Sequence, residues 1–298
     1  MGAPARGMNT TPAPSIPPGS MRPLTGVAGQ PPPGQGRPTV PGGVTFDRPQ
    51  AHVGHRIVIY GPGGVGKTSL ADMAPGPVVS FDLDDSLGVL QPAHTLAVQG
   101  VDDWGELHKA LIGPGWEGVQ TLVIDSVTRA EEWAVAWTLK HTPKNDQGSL
   151  ADSVESYGYG KGYGFVFDTF LPLLADLDGH ARAGRNVVLI AHDCVARVPN
   201  PEGEDWIRYE PRLQDPTSGK GSIRLRIKEW ADHVLYLGYD VSVDKEGKGR
   251  GSGSRTVYPV ERPHFMAKSR TLRSPIVLRE GENKVWEALF GAPAEGSE

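Results

Sequence analysis

From about residue 51 onward, short apolar runs alternate with segments whose apolar positions recur every three or four residues. Arg56–Tyr60, Pro77–Asp82, Val119–Asp125 and Asn186–Ala191 are β-rich runs ending in Gly, Asp or polar residues, and they predict buried strands. Between them, helical periodicity predicts helices from Lys67, over Val101–Leu111, over Ser126–Lys140 and around Phe167–Leu177. Trp133 and Trp137 fall on core positions, and Pro172 should kink the last helix or mark its start. Thr142–Gly164 is polar and glycine-rich and reads as a loop. An irregular stretch follows Ala191 to about Ser222. A short helix is expected at Ile223–Ala231, a strand at His233–Tyr239 and a charged hairpin tip at Asp244–Ser254. Strands near Thr256–Val260 and Pro275–Leu278 and a helix at Glu282–Phe290 complete the pattern. Strands alternating with helices imply an α/β fold with a mainly parallel sheet covered on both faces; the later short strands suggest an antiparallel C-terminal extension.

Residues 1–50 break this pattern. Runs such as Pro31-Pro32-Pro33-Gly34 bury too little apolar surface to offset ordering entropy, so this part is expected to be a disordered arm. The folded domain should span 51–291, with a short flexible tail at 292–298. No run approaches the roughly 20 apolar residues of a membrane span, and the N-terminus lacks the apolar core of a signal peptide. One cysteine, Cys194, cannot form an internal disulfide or a multi-cysteine zinc site, which favours a reducing cytoplasm. The net charge of −5 gives no bulk argument for nucleic acid.

The chemistry concentrates after the first strand. Gly61-Pro62-Gly63-Gly64-Val65-Gly66-Lys67-Thr68, continued by Ser69, fits G-x-x-x-x-G-K-[ST] between a strand and a helix. Glycines let backbone N–H groups turn inward around phosphate oxygens, and the helix start adds favourable partial charge. Lys67 should reach the β- and γ-phosphates of ATP, and the Thr68 hydroxyl should ligate Mg²⁺. Asp125, ending the run Thr121-Leu122-Val123-Ile124, is the expected second acid on the magnesium side. Asp82, Asp84 and Asp85 cluster at another strand end, where Asp84 is the candidate for positioning the attacking water and a helix-capping turn is the plain alternative. His192 and Asp193 end a further strand, and His192 is a candidate γ-phosphate sensor or a satisfied structural histidine.

These motifs, in this order, resemble the RecA-like recombination ATPases, and especially the phage-encoded P-loop proteins of single-strand annealing. The resemblance covers about residues 55–290, through Gly61–Thr68, Phe81–Asp84, Leu122–Val127, Val188–Asp193 and Ala267–Pro275. It implies a RecA-like P-loop NTPase core and an ATPase stimulated by single-stranded DNA. It also implies a homo-oligomer, a single-strand-binding protein as a further partner, and the bacterial host cytoplasm as the location. The family usually has Glu where this chain has Asp84, a side chain shorter by one methylene. By resemblance, the loops 142–164 and 195–222 would touch DNA through Tyr157, Tyr159, Tyr163 and Lys161 on the first and Arg197, Arg208 and Arg212 on the second. Lys220, Arg224, Arg226 and Lys228 form an adjacent basic run. Lys268 and Arg270 look like the family's basic pair, two residues apart, aimed at a neighbouring subunit's γ-phosphate. A small-molecule kinase and an ATP-switched loading module are the competing readings.

Overall fold

Strand β1 (Arg56–Gly61) lies inside the sheet, paired along both edges, and both of its faces are covered. Ile57 and Ile59 point into one core while Val58 and Tyr60 point into the other, and all four are fully buried. The computed structural model describes residues 54–291 apart from 146, 218, 219, 244–248 and 280, so the arm assigned to 1–50 and the tail at 292–298 lie outside the described residues. β2 (Val78–Asp82), β3 (Thr95–Ala97), β4 (Thr121–Asp125), β5 (Asn186–Val198) and β7 (His233–Val243) join β1 in parallel. The order runs β10-β8-β7-β1-β5-β4-β2-β3, with β8 (Gly249–Tyr258) and β10 (Ile276–Leu278) antiparallel at one side. This is the expected α/β architecture, a mainly parallel sheet covered by helices on both faces with an antiparallel C-terminal extension.

Helices cover both faces. α3 (Trp104–Ile112), α4 (Val127–His141), α5 (Lys161–Arg182) and α6 (Ile223–Trp230) bury Leu107, Ala130, Phe170, Leu174 and Ile227 against Val58, Leu122 and Leu189. α1 (Lys67–Asp72) and α7 (Lys284–Phe290) bury Leu70, Val285 and Trp286 against Ile57, Val123 and Leu235. The Trp286 indole also donates to the Leu70 carbonyl at 2.8 Å, which joins these two helices directly. A further short helix, α2 (Leu87–Leu90), follows the acidic turn after β2.

Three differences from the expected pattern have physical causes. α3 starts at Trp104 rather than Val101, because Asp103 caps it by accepting from Glu106 N. Pro172 lies inside α5 rather than at its start, since the buried face of Val166, Phe170, Leu173 and Leu177 continues across it. The stretch after Ala191 is not irregular. β5 continues to Val198 and turns back as β6 (Trp206–Pro211), pairing Val198 with Trp206 and Asp193 with Pro211. The predicted hairpin tip at Asp244–Ser254 falls partly outside the described residues, and β8 begins at Gly249.

His233 opens β7 fully buried. Its ring stacks on His55, with Nε2 3.0 Å from His55 Nδ1 and Nδ1 2.9 Å from Ser269 Oγ. Burial, helped by the nearby charge of His55, Arg270 and Lys268 and opposed by Asp232, pushes its pKa down to about 4. The folded state therefore disfavours the proton that an unfolded His accepts near 6.5. Stability from this group is complete above that value and is lost as pH falls toward 4. We expect unfolding free energy to drop by about 2 kcal/mol between pH 7 and pH 5 through His233. Denaturant titrations at both pH values should show a smaller drop in His233→Gln than in the parent; equal drops would contradict the assignment.

Candidate functional site

The turn from β1 into α1 is shaped by glycines that few other residues could replace. Gly64 and Gly66 hold φ of 73° and 98°, in the left-handed region. A Cβ on Gly61 would stand 2.0 Å from the Leu237 carbonyl oxygen, whereas Gly63 and Gly64 face open space where an anion can approach the backbone. Lys67 is buried, and Nζ donates to the carbonyls of Gly61 at 2.8 Å and Pro62 at 2.9 Å. Burial lowers its pKa, with Asp125, Asp193 and Asp84 acting in the opposite sense. An ammonium held on loop carbonyls, with no carboxylate partner among the described residues, suits an incoming polyphosphate. This site fits ATP.

Parallel registers bring the acids to the same edge. Gly61 pairs with His192, and Asp82 pairs with Asp125. The Thr68 hydroxyl donates to Asp125 Oδ2 at 2.6 Å. Burial raises the Asp125 pKa to about 6, against the hydrogen bond from Thr68. A buried carboxylate beside a hydroxyl, with phosphate space next to it, suits Mg²⁺ held by Thr68 and Asp125. Ser126, joined to Asp125 by a cis peptide, caps α4 by accepting from Arg129 N.

The three neighbouring acids separate into different roles. Asp82 accepts from Ser86 N, Ser86 Oγ and Leu87 N, so it is the capping turn of α2. Asp84 instead faces His192, with Nε2 3.0 Å from Oδ2. That bond, assisted by the Ser126 hydroxyl and opposed by burial, lowers the Asp84 pKa. Asp84, Arg129, His192 and Arg212 line a small cavity of about 210 Å³ beside the P-loop edge. His192 therefore touches Asp84 and is not a histidine closed off in the core.

The AAA domain family matches residues 54–271 in sequence. The chain belongs to this family. No curated protein matches the chain in sequence. Solved structures similar to it include a KaiC-like protein from the hyperthermophilic archaeon Pyrococcus horikoshii, at 14% identity and TM-score 0.38, covering 78% of this chain and 88% of that one. The RadB recombinase is similar at 12% identity and TM-score 0.37, covering 69% and 80%. No described helix of this AAA domain is long and apolar enough to cross a membrane.

Lys268 and Arg270 stand away from the P-loop of their own AAA domain. β9 (Lys268–Ser269) pairs with the start of β7, which itself aligns with the start of β1, so the pair lies at the amino edge of the sheet. Lys268 Nζ donates to the carbonyls of Lys228, Glu229 and Ala231 at 2.7–3.3 Å and so caps the end of α6. Arg270 Nε donates to Asp232 Oδ1 at 2.8 Å. Burial raises the Asp232 pKa, but Arg56, with help from Arg270, overcomes this and holds it at about 2.

Several DNA-contact candidates are corrected by burial. Tyr157 is in the core, with its hydroxyl on the Thr142 carbonyl. Tyr163 donates to Glu155, whereas Tyr159 is fully exposed. Arg208 and Arg224 are buried around Glu210, at 2.7 and 2.8 Å, and cannot reach a backbone phosphate. Lys228 and Arg208 both hold Glu261. Two contacts to the P-loop were absent from the sequence reading. The Tyr239 hydroxyl donates to the Gly64 carbonyl at 3.2 Å, and Arg255 Nη1 donates to the Val65 carbonyl at 3.1 Å. The signal was available only through the pairing of Tyr239 with Arg255 across β7 and β8.

Proposed function

We propose that this chain binds ATP with magnesium and hydrolyses it, and that it acts on single-stranded DNA in annealing or recombination of the phage type. The observation that carries the ATP reading is the 2.6 Å contact of Thr68 with buried Asp125 beside an open glycine loop. Magnesium bound there would neutralise charge on the phosphates. Lys67 would leave the Gly61 and Pro62 carbonyls for the β- and γ-phosphates. Asp84, kept ionised and held by His192, would orient the attacking water and accept its proton.

Support for the DNA part is narrower. Tyr159 offers a fully exposed ring next to Lys161 at the start of α5. Arg270 is 61% exposed and is the member of the basic pair better suited to reach a neighbouring subunit; Lys268 is committed to α6. ATP turnover measured with and without single-stranded DNA tests the whole reading. Turnover that ignores DNA removes the annealing part and leaves the ATPase.

Asp84→Asn tests the water-positioning role. Turnover should fall about 100-fold, while ATP affinity changes little. Calorimetry and a phosphate-release assay on the same variant separate the two effects. Full turnover in Asp84→Asn would remove Asp84 from the mechanism.

A further inference from the structure

The strand order gives the bound nucleotide a direction. Asp125 at the end of β4, Asp84 in the turn after β2 and His192 on β5 all lie to one side of β1, so the γ-phosphate belongs there. The nucleoside end must then run the other way, toward β7 and β8. Tyr239 and Arg255 occupy that side. They are cross-strand partners and both touch the P-loop, at Gly64 and Val65. A Cβ on Gly66 would meet Arg255 Nη1 at 2.5 Å, so the guanidinium lies directly against the loop.

The pair is positioned by strand pairing and by its contacts with the loop. The register of β7 with β8 shifts between Tyr239 and Val241, an irregularity of the kind that re-aims a side chain next to a binding site. Beside it, Ser254 Oγ, Thr256 Oγ1 and Tyr258 OH all donate to the Asp240 carboxylate, at 2.7, 2.9 and 2.9 Å. Yet Tyr239 itself remains 45% exposed, although large aromatic side chains gain from burying both faces. A half-open ring with its hydroxyl anchored on the phosphate loop is what a stacked base requires.

We propose that Tyr239 is the base-stacking platform of the ATP site, with Arg255 beside it fixing the loop through the Val65 carbonyl. This rests on the ATP reading above. The base stacks on the Tyr239 ring, and the hydroxyl keeps the ring in register with Gly64.

Calorimetry with two probes, ATP and inorganic tripolyphosphate, each with magnesium, tests the assignment. Tyr239→Ala should bind ATP about 10-fold or more weakly while binding tripolyphosphate like the parent. Tyr239→Phe keeps the ring and should retain most ATP affinity. Parent-like ATP binding by Tyr239→Ala would overturn the proposal. So would equal losses in Ala and Phe that extend to tripolyphosphate, since the hydroxyl would then be propping the loop and the ring doing nothing. If the parent binds neither probe, the phosphate site itself is wrong. If it binds tripolyphosphate as tightly as ATP, only the stacking platform is wrong.

Discussion

Lys67→Ala should lose ATP affinity by on the order of 100-fold or more, because charge-assisted hydrogen bonds to two phosphates disappear together. The structure adds a second expectation. Lys67 now bridges the Gly61 and Pro62 carbonyls, so its removal also loosens the mouth of the loop. The fold should survive, since β1 and the two cores do not depend on that bridge. A thermal melt close to the parent's, combined with calorimetry showing no measurable ATP binding, is the predicted pair of results. Parent-like affinity with magnesium present would sink the site assignment, whatever the melt shows.

The phosphate loop was legible because its chemistry is local. Gly61–Thr68 carries its own backbone requirements, and the preceding apolar run supplies its context. Asp125 was legible for a similar reason: a β-rich run ends in one carboxylate, and the parallel register with β2 and β5 does the rest. Asp82 and Asp84 could not be told apart in sequence, because the difference is which donors surround each. Asp82 meets the amides of α2, and Asp84 meets His192. In sequence, Lys268 and Arg270 look like a pair free to act together. Antiparallel pairing of β9 with the start of β7 instead sets them at the amino edge on two separate targets. Tyr239 and Arg255 are sixteen positions apart in the chain and become neighbours only through β7–β8 pairing. No local pattern announces such a site.

The basic run in α6 shows how far charge counting can mislead, and it sets the other large expected effect. Arg224 reads in sequence as a base beside Arg226, ready for a phosphate backbone. In the fold it is buried, with Nη1 on Glu210 and Asp215 at 2.8 and 3.2 Å, Nε on the Pro211 carbonyl at 2.9 Å and Nη2 on the Leu213 carbonyl at 3.0 Å. Arg208 holds the other oxygen of Glu210. Arg224→Ala would leave a buried carboxylate with one partner instead of two and strip donors from two carbonyls. Removing one member of such a pair costs about 3–5 kcal/mol. Arg226, exposed and 3.7 Å from Glu229, should cost within about 0.5 kcal/mol on replacement by Ala. Denaturant midpoints of the two single variants measure this contrast directly. A combined variant that includes Arg224→Ala would lose DNA binding by unfolding and so report nothing about contact, which makes Lys220→Ala and Arg226→Ala the informative changes. If Arg224→Ala melts with the parent, Glu210 is satisfied by Arg208 alone and Arg224 returns to the surface as a candidate for binding phosphate.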